Sequence, residues 1–488
     1  MGSEMCIRDR STTEYPEGRR NLAGISNPVN RGLEIGMKIV VSPKNLIAAV
    51  NRTFPNKDSV LELRAGIDCT VSGFGTEACS RFRTSETLPG AYSVDSGSVF
   101  VNARALSSAL RALDRSADTI IEGSTIDGIV VSQGSMVFTL PCVDAPFERV
   151  AHFTGEERAT AALLYRGYDV SGFRAALESA VGFTSKDELR RALMGVFFSV
   201  PEEGPCSLIA TDTHILCDLP LIDWGEHDSA DAFPAVSSKA PDTHGVLLPY
   251  PFARRLQKVL AGYKSRAILT MRYARGCVDA EVIGYNGEVF VVTAIIDGDF
   301  PNWLRVIPSQ NDMDRRVLAT LDEGSISNVC HHLDRFAKAT RNAAYSRVIL
   351  WNDTGDTLHI EGVDEAGSLA LTVRSTPCQG SLAVVAVNPE YLSICLRAAS
   401  GASSGTVTIE TGRVLDPLTL RGPGGLVVLM PMQLPDGTAA PITDSSGVIR
   451  NRVLSGYSRQ IDTLAAEVIP EMAPVPDLAD IREVALMA

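Results

Sequence analysis

Apolar and polar positions change period along this chain in a repeating order. Met37-Lys-Ile-Val-Val-Ser alternates as a half-buried strand does. The next stretch, 42–54 (SPKNLIAAVNRTF), carries its apolar residues at helical spacing, and the same change recurs at 169–184 and 322–341. Each of these three segments opens on Ser or Asp, residues suited to capping a helix start. A second set of helical segments follows at 102–115, 249–266 and 388–400, the last with Pro389 in its first turn, where a helix tolerates proline. Between them lie Val- and Ile-rich runs bounded by Gly, Asp, Asn or Ser, such as Gly128-Ile-Val-Val-Ser, Ala280-Glu-Val-Ile-Gly and Ser381-Leu-Ala-Val-Val-Ala-Val. The pattern predicts an α+β fold of three similar units, each with two helices packed on antiparallel sheet.

The expected boundaries are 37–154, 155–310 and 311–434. Residues 1–36 are polar and aperiodic and read as a non-native or disordered leader, so Met37 is the expected start of the fold. Residues 435–488 open on PDGTAAPITDSSG and carry eight acids against four arginines, which reads as an acidic, mostly disordered tail.

Composition then narrows the function. The 488 residues suit about three domains, and a net charge of −13 excludes a protein that is basic all over. The charge is uneven, however. The six helical segments together carry +8, leaving −21 on everything else. The densest cluster is Arg254, Arg255, Lys258, Lys264 and Arg266, with no acid in the segment. Basic helices within an acidic protein point to phosphate contact without base reading. Ten cysteines lie between Cys6 and Cys395 with no CxxC pair, so zinc ribbons and redox dithiols are not expected; buried thiols in a reducing cytoplasm are. No apolar run approaches the roughly 20 residues of a membrane span.

Three separated stretches are more specific. They are Arg190-Arg-Ala-Leu-Met-Gly-Val with Ser207-Leu-Ile-Ala-Thr-Asp-Thr-His-Ile-Leu, then Asp297-Gly-Asp-Phe-Pro-Asn-Trp-Leu-Arg-Val-Ile-Pro, then Val427-Val-Leu-Met-Pro-Met-Gln-Leu. In this order, over Met37 to Leu434, they resemble the bacterial DNA polymerase III beta subunit, the DNA sliding clamp, whose patterns are close to ATDGHRL, FPDYRRVIP and a terminal VMPMRL.

The resemblance implies a half-ring of three clamp domains and a homodimer closed around double-stranded DNA. It implies a non-enzymatic processivity factor, without cofactor or metal, in the cytoplasm with the nucleoid. It also implies a cleft that takes QLxLF-like peptides of polymerase, clamp loader and repair proteins. Carried over by motif, that cleft is Leu193, Thr211, His214, Leu216, Pro301, Arg305, Val306, Val428, Met430, Pro431, Met432 and Leu434. The expected DNA-facing cations are Lys44, Arg52, Arg104, Arg111, Arg115, Arg190, Arg254, Arg255, Lys258, Lys264, Arg266, Lys338 and Arg341. Phe138 and Leu140 match the apolar ring-closing face of the first domain, whereas the facing helix carries Ala339 and Thr340 where the family has two apolar residues.

The family's Gly in ATDGHRL is Thr213 here, its Arg is Ile215, and the Arg of MPMRL is Gln433. The tail holds Gln460-Ile-Asp-Thr-Leu464, a partial match to the partner motif. A phage-encoded or second-copy clamp for repair or a viral polymerase is a narrower alternative. A hydrolase-like enzyme using Asp212 and His214 is a remoter one, since no GxSxG, P-loop or HExxH accompanies them.

Overall fold

The computed structural model describes residues 36–433, apart from short internal stretches, and leaves 1–35 and 434–488 undescribed. Seven helices lie among the described residues: α1 (Pro43–Thr53), α2 (Ala103–Arg111), α3 (Gly155–Thr160), α4 (Ser171–Val181), α5 (Tyr250–Leu260), α6 (Glu323–Ala339) and α7 (Pro389–Ser400). Six are the helices expected from the pattern. The extra one, α3, is a single capped turn: Thr154 Oγ1 accepts the Glu157 amide at 3.1 Å, and Glu157 returns the bond to the Thr154 amide at 2.9 Å. The Asn102 side chain caps α2 and the Asn388 side chain caps α7, each accepting two backbone amides. Asp322 accepts the Ser325 amide at the start of α6, at 2.7 Å.

All strand pairs among the described residues are antiparallel, and two sheets run from one repeat into the next. In the eight-stranded sheet, Val289–Ile295 of the second repeat pairs with Ser80–Thr87 of the first. In the nine-stranded sheet, Ile215–Pro220 of the second pairs with Gly425–Leu429 of the third, with Leu216 opposite Val428. A five-stranded sheet completes the first repeat and a four-stranded sheet the third.

The six longer helices form one row on these sheets. Contacts link α2 to α1, α1 to α5, α5 to α4, α4 to α7 and α7 to α6. The apolar strand residues that alternate toward this row make two large cores. One spans the second and third repeats, and the other fills the first.

The opposite sheet faces of the first two repeats are covered by the segments that leave them. After Met136–Leu140, the chain returns along Gly97–Asn102, where Val143 donates to the Phe100 carbonyl at 3.0 Å. It then lays His152 over the eight-stranded sheet. Thr293 Oγ1 donates to Asp279 Oδ1 at 2.5 Å, so it accepts from His152 Nδ1 at 2.6 Å. His152 Nε2 is left to accept from Ser85 Oγ at 2.6 Å. Arg158 in α3 then bridges Asp279 at 3.2 Å and Glu281 at 2.6 Å. After Val289–Ile295, the exit segment lays Phe300 and Trp303 over Phe197, Ile209, Leu216, Leu247 and Val428. The Phe197 and Phe300 rings stack at 5.2 Å.

Burial, with Arg83, Arg158 and Arg64 nearby, pushes the His152 imidazole from 6.5 down to about 3. The folded state holds this ring neutral while the unfolded chain binds a proton below about 6.5, so stability is lost as pH falls from there toward 3. Burial raises the Asp279 carboxyl, which acts in the opposite sense but only nearer the carboxylate range. Thermal unfolding between pH 7 and pH 5 should therefore show a falling Tm, and His152→Gln should flatten that slope; an unchanged slope refutes the assignment.

Candidate functional site

A cavity of about 940 Å³ opens where the second and third repeats meet. One wall is the tight turn between Ser207–Thr211 and Ile215–Pro220. Thr211 Oγ1 donates to the Ile215 carbonyl at 2.7 Å, and Asp212 Oδ1 accepts the His214 and Ile215 amides at 2.8 and 2.9 Å. This folding places Thr213 at φ 84°, a left-handed conformation that glycine adopts without strain and a β-branched residue does not. The family's glycine at this position thus has a backbone reason. Thr213→Gly should raise stability by about 1 kcal/mol, part of the release being offset by glycine's larger unfolded-state entropy. Denaturant unfolding checks this, and a destabilised variant would show that the Thr213 bond to Arg190 outweighs the strain.

The facing wall comes from the third repeat. The Asn388 cap starts α7 and sets Tyr391 one turn in, where its ring stacks on His214 at 5.7 Å and 22°. Burial, the Asp212 carboxylate and the hydrogen bond between them drive the Tyr391 hydroxyl far above its ordinary value, so it stays protonated and ties the two repeats together. Met430, Pro431 and Met432 form the floor. The Met430 amide donates to the His214 carbonyl at 2.9 Å, and the Met432 amide to the Ala386 carbonyl at 2.7 Å. Arg347 Nη1 donates to the Gln433 carbonyl at 3.0 Å. At the rim, Arg190 donates to Thr213 Oγ1 at 3.1 Å and meets Asp187 at 3.4 Å.

The expected cleft residues divide by position. His214, Met430, Pro431 and Met432 line the cavity. Leu193 and Thr211 are buried, each 9% exposed, Thr211 as a pillar of the turn. Leu216 and Val428 face each other within the apolar cluster under Phe300 and Trp303. Pro301, Arg305 and Val306 stand exposed on or beside the short helical turn Trp303–Arg305 over that cluster. The strand pairing thus sets an apolar patch, with Met430 38% and Val306 42% exposed, beside a wetter cavity. Leu434 lies outside the described residues.

Several of the cation expectations need correction. Arg190 lines the cavity and is not on the helix row. Arg255 is buried, 4% exposed, with its guanidinium 5.7 Å from the Phe82 ring centroid. It sits three residues after Phe252 and four before Val259, on the buried stripe of α5, so helical phase turns it inward. Arg52 is held by Glu86. Arg254 is half-buried and donates to Gln257 at 3.0 Å. Lys44, Arg104, Arg111, Arg115, Lys258 and Lys338 are exposed on or at the ends of the row, as is Arg335, which the sequence reading omitted. Lys264, Arg266 and Arg341 lie outside the described residues.

Phe138 and Leu140 are half-buried and pack on the first repeat's core from Met136–Leu140, the edge strand of the five-stranded sheet. Exposed beside them is Val137, at 61%. Thr340 lies outside the described residues.

Sequence reasoning also missed Lys186, Asp187, Arg347, Asn388, Glu390 and Tyr391 as cavity residues. The helix-start signal of Asn388-Pro389 located α7, but nothing local told which surface Tyr391 would meet. Asp212 and His214, the pair behind the hydrolase alternative, are engaged in the turn and in the ring stack. Among the described residues no group of three or more His, Cys, Asp or Glu is placed to hold a metal ion, and no helix is long and apolar enough to cross a membrane.

No protein-family model and no curated protein matches the chain. Solved structures do. The DNA polymerase sliding clamp of Bacillus subtilis aligns over 81% of this chain and 99% of its own, with a TM-score of 0.65 and 16% identity. A sliding clamp (DNA polymerase III subunit beta) of Bartonella birtlesii, bound to griselimycin, aligns over 81% of this chain and all of its own, with a TM-score of 0.63 and 20% identity. The beta sliding clamp of C. crescentus aligns over 82% of this chain and all of its own, with a TM-score of 0.63 and 19% identity. Repeated helix pairs, antiparallel sheets running between repeats and alignment over nearly the full length of the solved clamps agree: this chain has the α+β fold of the bacterial DNA polymerase III beta sliding clamps.

Proposed function

We propose that the chain is a processivity clamp of the DNA polymerase III beta type, a ring of two copies that encircles duplex DNA and docks partner peptides. The observation that carries this reading is the continuous six-helix row with exposed cations, set in a chain whose remainder is acidic. Weak, sequence-independent phosphate contacts suffice for such a protein, because a closed ring is held by topology. An acidic exterior favours duplex in the channel over duplex on the outer sheets.

The domains are taken as 37–154, 155–310 and 311–434, and ring closure is assigned to the edge strand bearing Phe138 and Leu140. The peptide site is assigned to the cavity around His214, Tyr391 and Met432 with the apolar patch around Met430 and Val306. Apolar anchors fill such a patch, and methionine adapts to varied partners. Tethering by this route holds a polymerase at high effective concentration beside its template. The chain itself is then an accessory subunit and not an enzyme.

The test is retention on DNA. The protein assembled on nicked circular DNA should co-elute with it and be lost when the circle is cut once. Equal retention on circular and linear DNA would refute topological binding, and a single-chain mass in solution across micromolar concentrations would refute the two-chain ring.

A further inference from the structure

The sheet registers make the two junctions between repeats directly comparable. Phe197 and Glu62 each pair with the residue two before a helix cap: Leu247 before Pro249, and Phe100 before Asn102. Along the ladders from there, Ile209 corresponds to Ser72, Leu216 to Arg83 and Val428 to Thr293. Where the second and third repeats meet, these outward positions are apolar and lie under Phe300 and Trp303. Where the first and second meet, they are Glu62, Ser72, Arg83 and Thr293, with His152 laid over them. The same backbone closes one junction with apolar side chains, so the fold does not require charge at the other. Glu62 is 2% and Ser72 1% exposed, and burying such groups costs folding energy that apolar side chains there would not.

A cavity of about 240 Å³ opens beside these residues. It is smaller than the roughly 300–1,000 Å³ of a drug-sized ligand's pocket, so it suits a small ion or the end of a longer molecule. Two guanidiniums line it. Arg64 Nη2 and Arg83 Nη2 meet the two oxygens of Glu62 at 2.8 and 3.1 Å, and Arg83 also donates to Ser72 Oγ at 3.2 Å. One buried carboxylate thus orients two cations and offsets one of them. Glu86 reaches the lining but is held by Arg52, and Asp68 stands exposed at the rim. Behind the pocket, Arg158 answers Asp279 and Glu281. Burial, together with Arg83, Arg158 and Arg64, holds the His152 ring neutral, which is the response of an imidazole in an electropositive site.

We infer that this pocket binds a phosphate-sized oxyanion, gripped by Arg64 and Arg83 on the outer face of the junction between the first and second repeats. Guanidinium groups present planar forks of N–H donors that match phosphate oxygens, and here both forks are aimed by one carboxylate. Arg83 is further fixed over the Phe74 ring, 5.0 Å from its centroid, so little side-chain freedom is lost on binding. Inorganic phosphate and the phosphate end of a nucleotide share this chemistry. The pocket opens on the sheet face opposite the helix row and is separate from any duplex held there. This inference goes beyond the clamp reading and does not depend on it.

Isothermal titration calorimetry of the full chain with inorganic phosphate, at fixed pH and with ionic strength held by chloride, tests the site. One saturable site per chain is expected, and Arg64→Gln should weaken it about tenfold through loss of a charged donor. The Arg64 side chain is 55% exposed, so the fold tolerates its replacement. Asp68→Asn supplies a readout that misfolding cannot mimic: removing the rim acid should tighten phosphate about two- to threefold. Glutamine at Lys44, Arg104, Arg111 and Lys258 together should leave phosphate affinity within about twofold, since those cations lie on the other face. ATP titrated in the same way identifies the source. Tighter binding than phosphate, again weakened by Arg64→Gln, supports the site and assigns it to a nucleotide's phosphate end; weaker binding supports it as a site for the free ion. No saturable binding of either, an affinity unchanged in both Arg64→Gln and Asp68→Asn, or a loss confined to the helix-row variant overturns the proposal.

Discussion

Met432→Ala weakens binding of a labelled QLxLF-type peptide by about 30-fold, the loss of about 2 kcal/mol expected when a central apolar anchor site is truncated. Met432 lines the cavity, but its place in the chain is fixed by main-chain bonds: its own amide to Ala386 and the neighbouring Gln433 carbonyl to Arg347. Removing the thioether therefore empties the floor without releasing the strand that forms it. Half-burial also makes the folding penalty small compared with that of a core methionine. Fluorescence anisotropy measures the affinity, and thermal unfolding confirms that the scaffold persists. A change below threefold would mean that the peptide sits wholly on the neighbouring patch around Val306. Tyr391→Phe separates the contributions further. It keeps the ring against His214 and removes the bond to Asp212, so it should loosen the junction between the repeats more than the peptide contact.

Replacing Lys44, Arg104, Arg111 and Lys258 together with glutamine cuts the salt dependence of DNA binding by about three to four in log–log slope per chain, if each cation neutralises one phosphate. These four are exposed on the helix row. Binding at low salt should weaken, whereas binding at high salt, where counterion release contributes little, should converge with that of the parent. Arg255→Gln is the contrasting control. Its guanidinium is buried over Phe82, so its loss should lower stability by about 1–3 kcal/mol and leave the salt slope unchanged. A quadruple variant with the parent's slope would show that these helices do not face the duplex.

How far the sequence carried the reading differs by element. The six long helices are legible because each buries a stripe at helical spacing, and the capping residues Asn102, Asp322 and Asn388 mark their starts. The turn at Thr211–Ile215 is legible as motif, and its strain at Thr213 explains why a glycine would be expected there. The orientation of Arg255 was available too, since it falls on the stripe of Phe252 and Val259, but charge counting over a segment ignores phase. The single turn α3 was not, because its six residues bury nothing and the charged text reads equally well as a linker.

The cavity belongs to a different class of information. Arg190, Thr213 and His214 come from the second repeat; Arg347, Tyr391 and Met432 come from the third. No local pattern relates them, and their meeting is decided when Ile215–Pro220 pairs with Gly425–Leu429, strands some two hundred residues apart. What the sequence by itself determined here is periodicity: helices, strands, three similar units and a basic bias in the helices. These follow from interactions between residues a few positions apart. What only the tertiary structure decided is which faces are shared. Arg190 went to the cavity, Arg255 to the core, and Trp351 to the face of its sheet that carries His359, where it is buried. The physical reason is that hydrogen bonds between strands and the exclusion of water from apolar faces act between residues distant in sequence, and local periodicity is silent about partners.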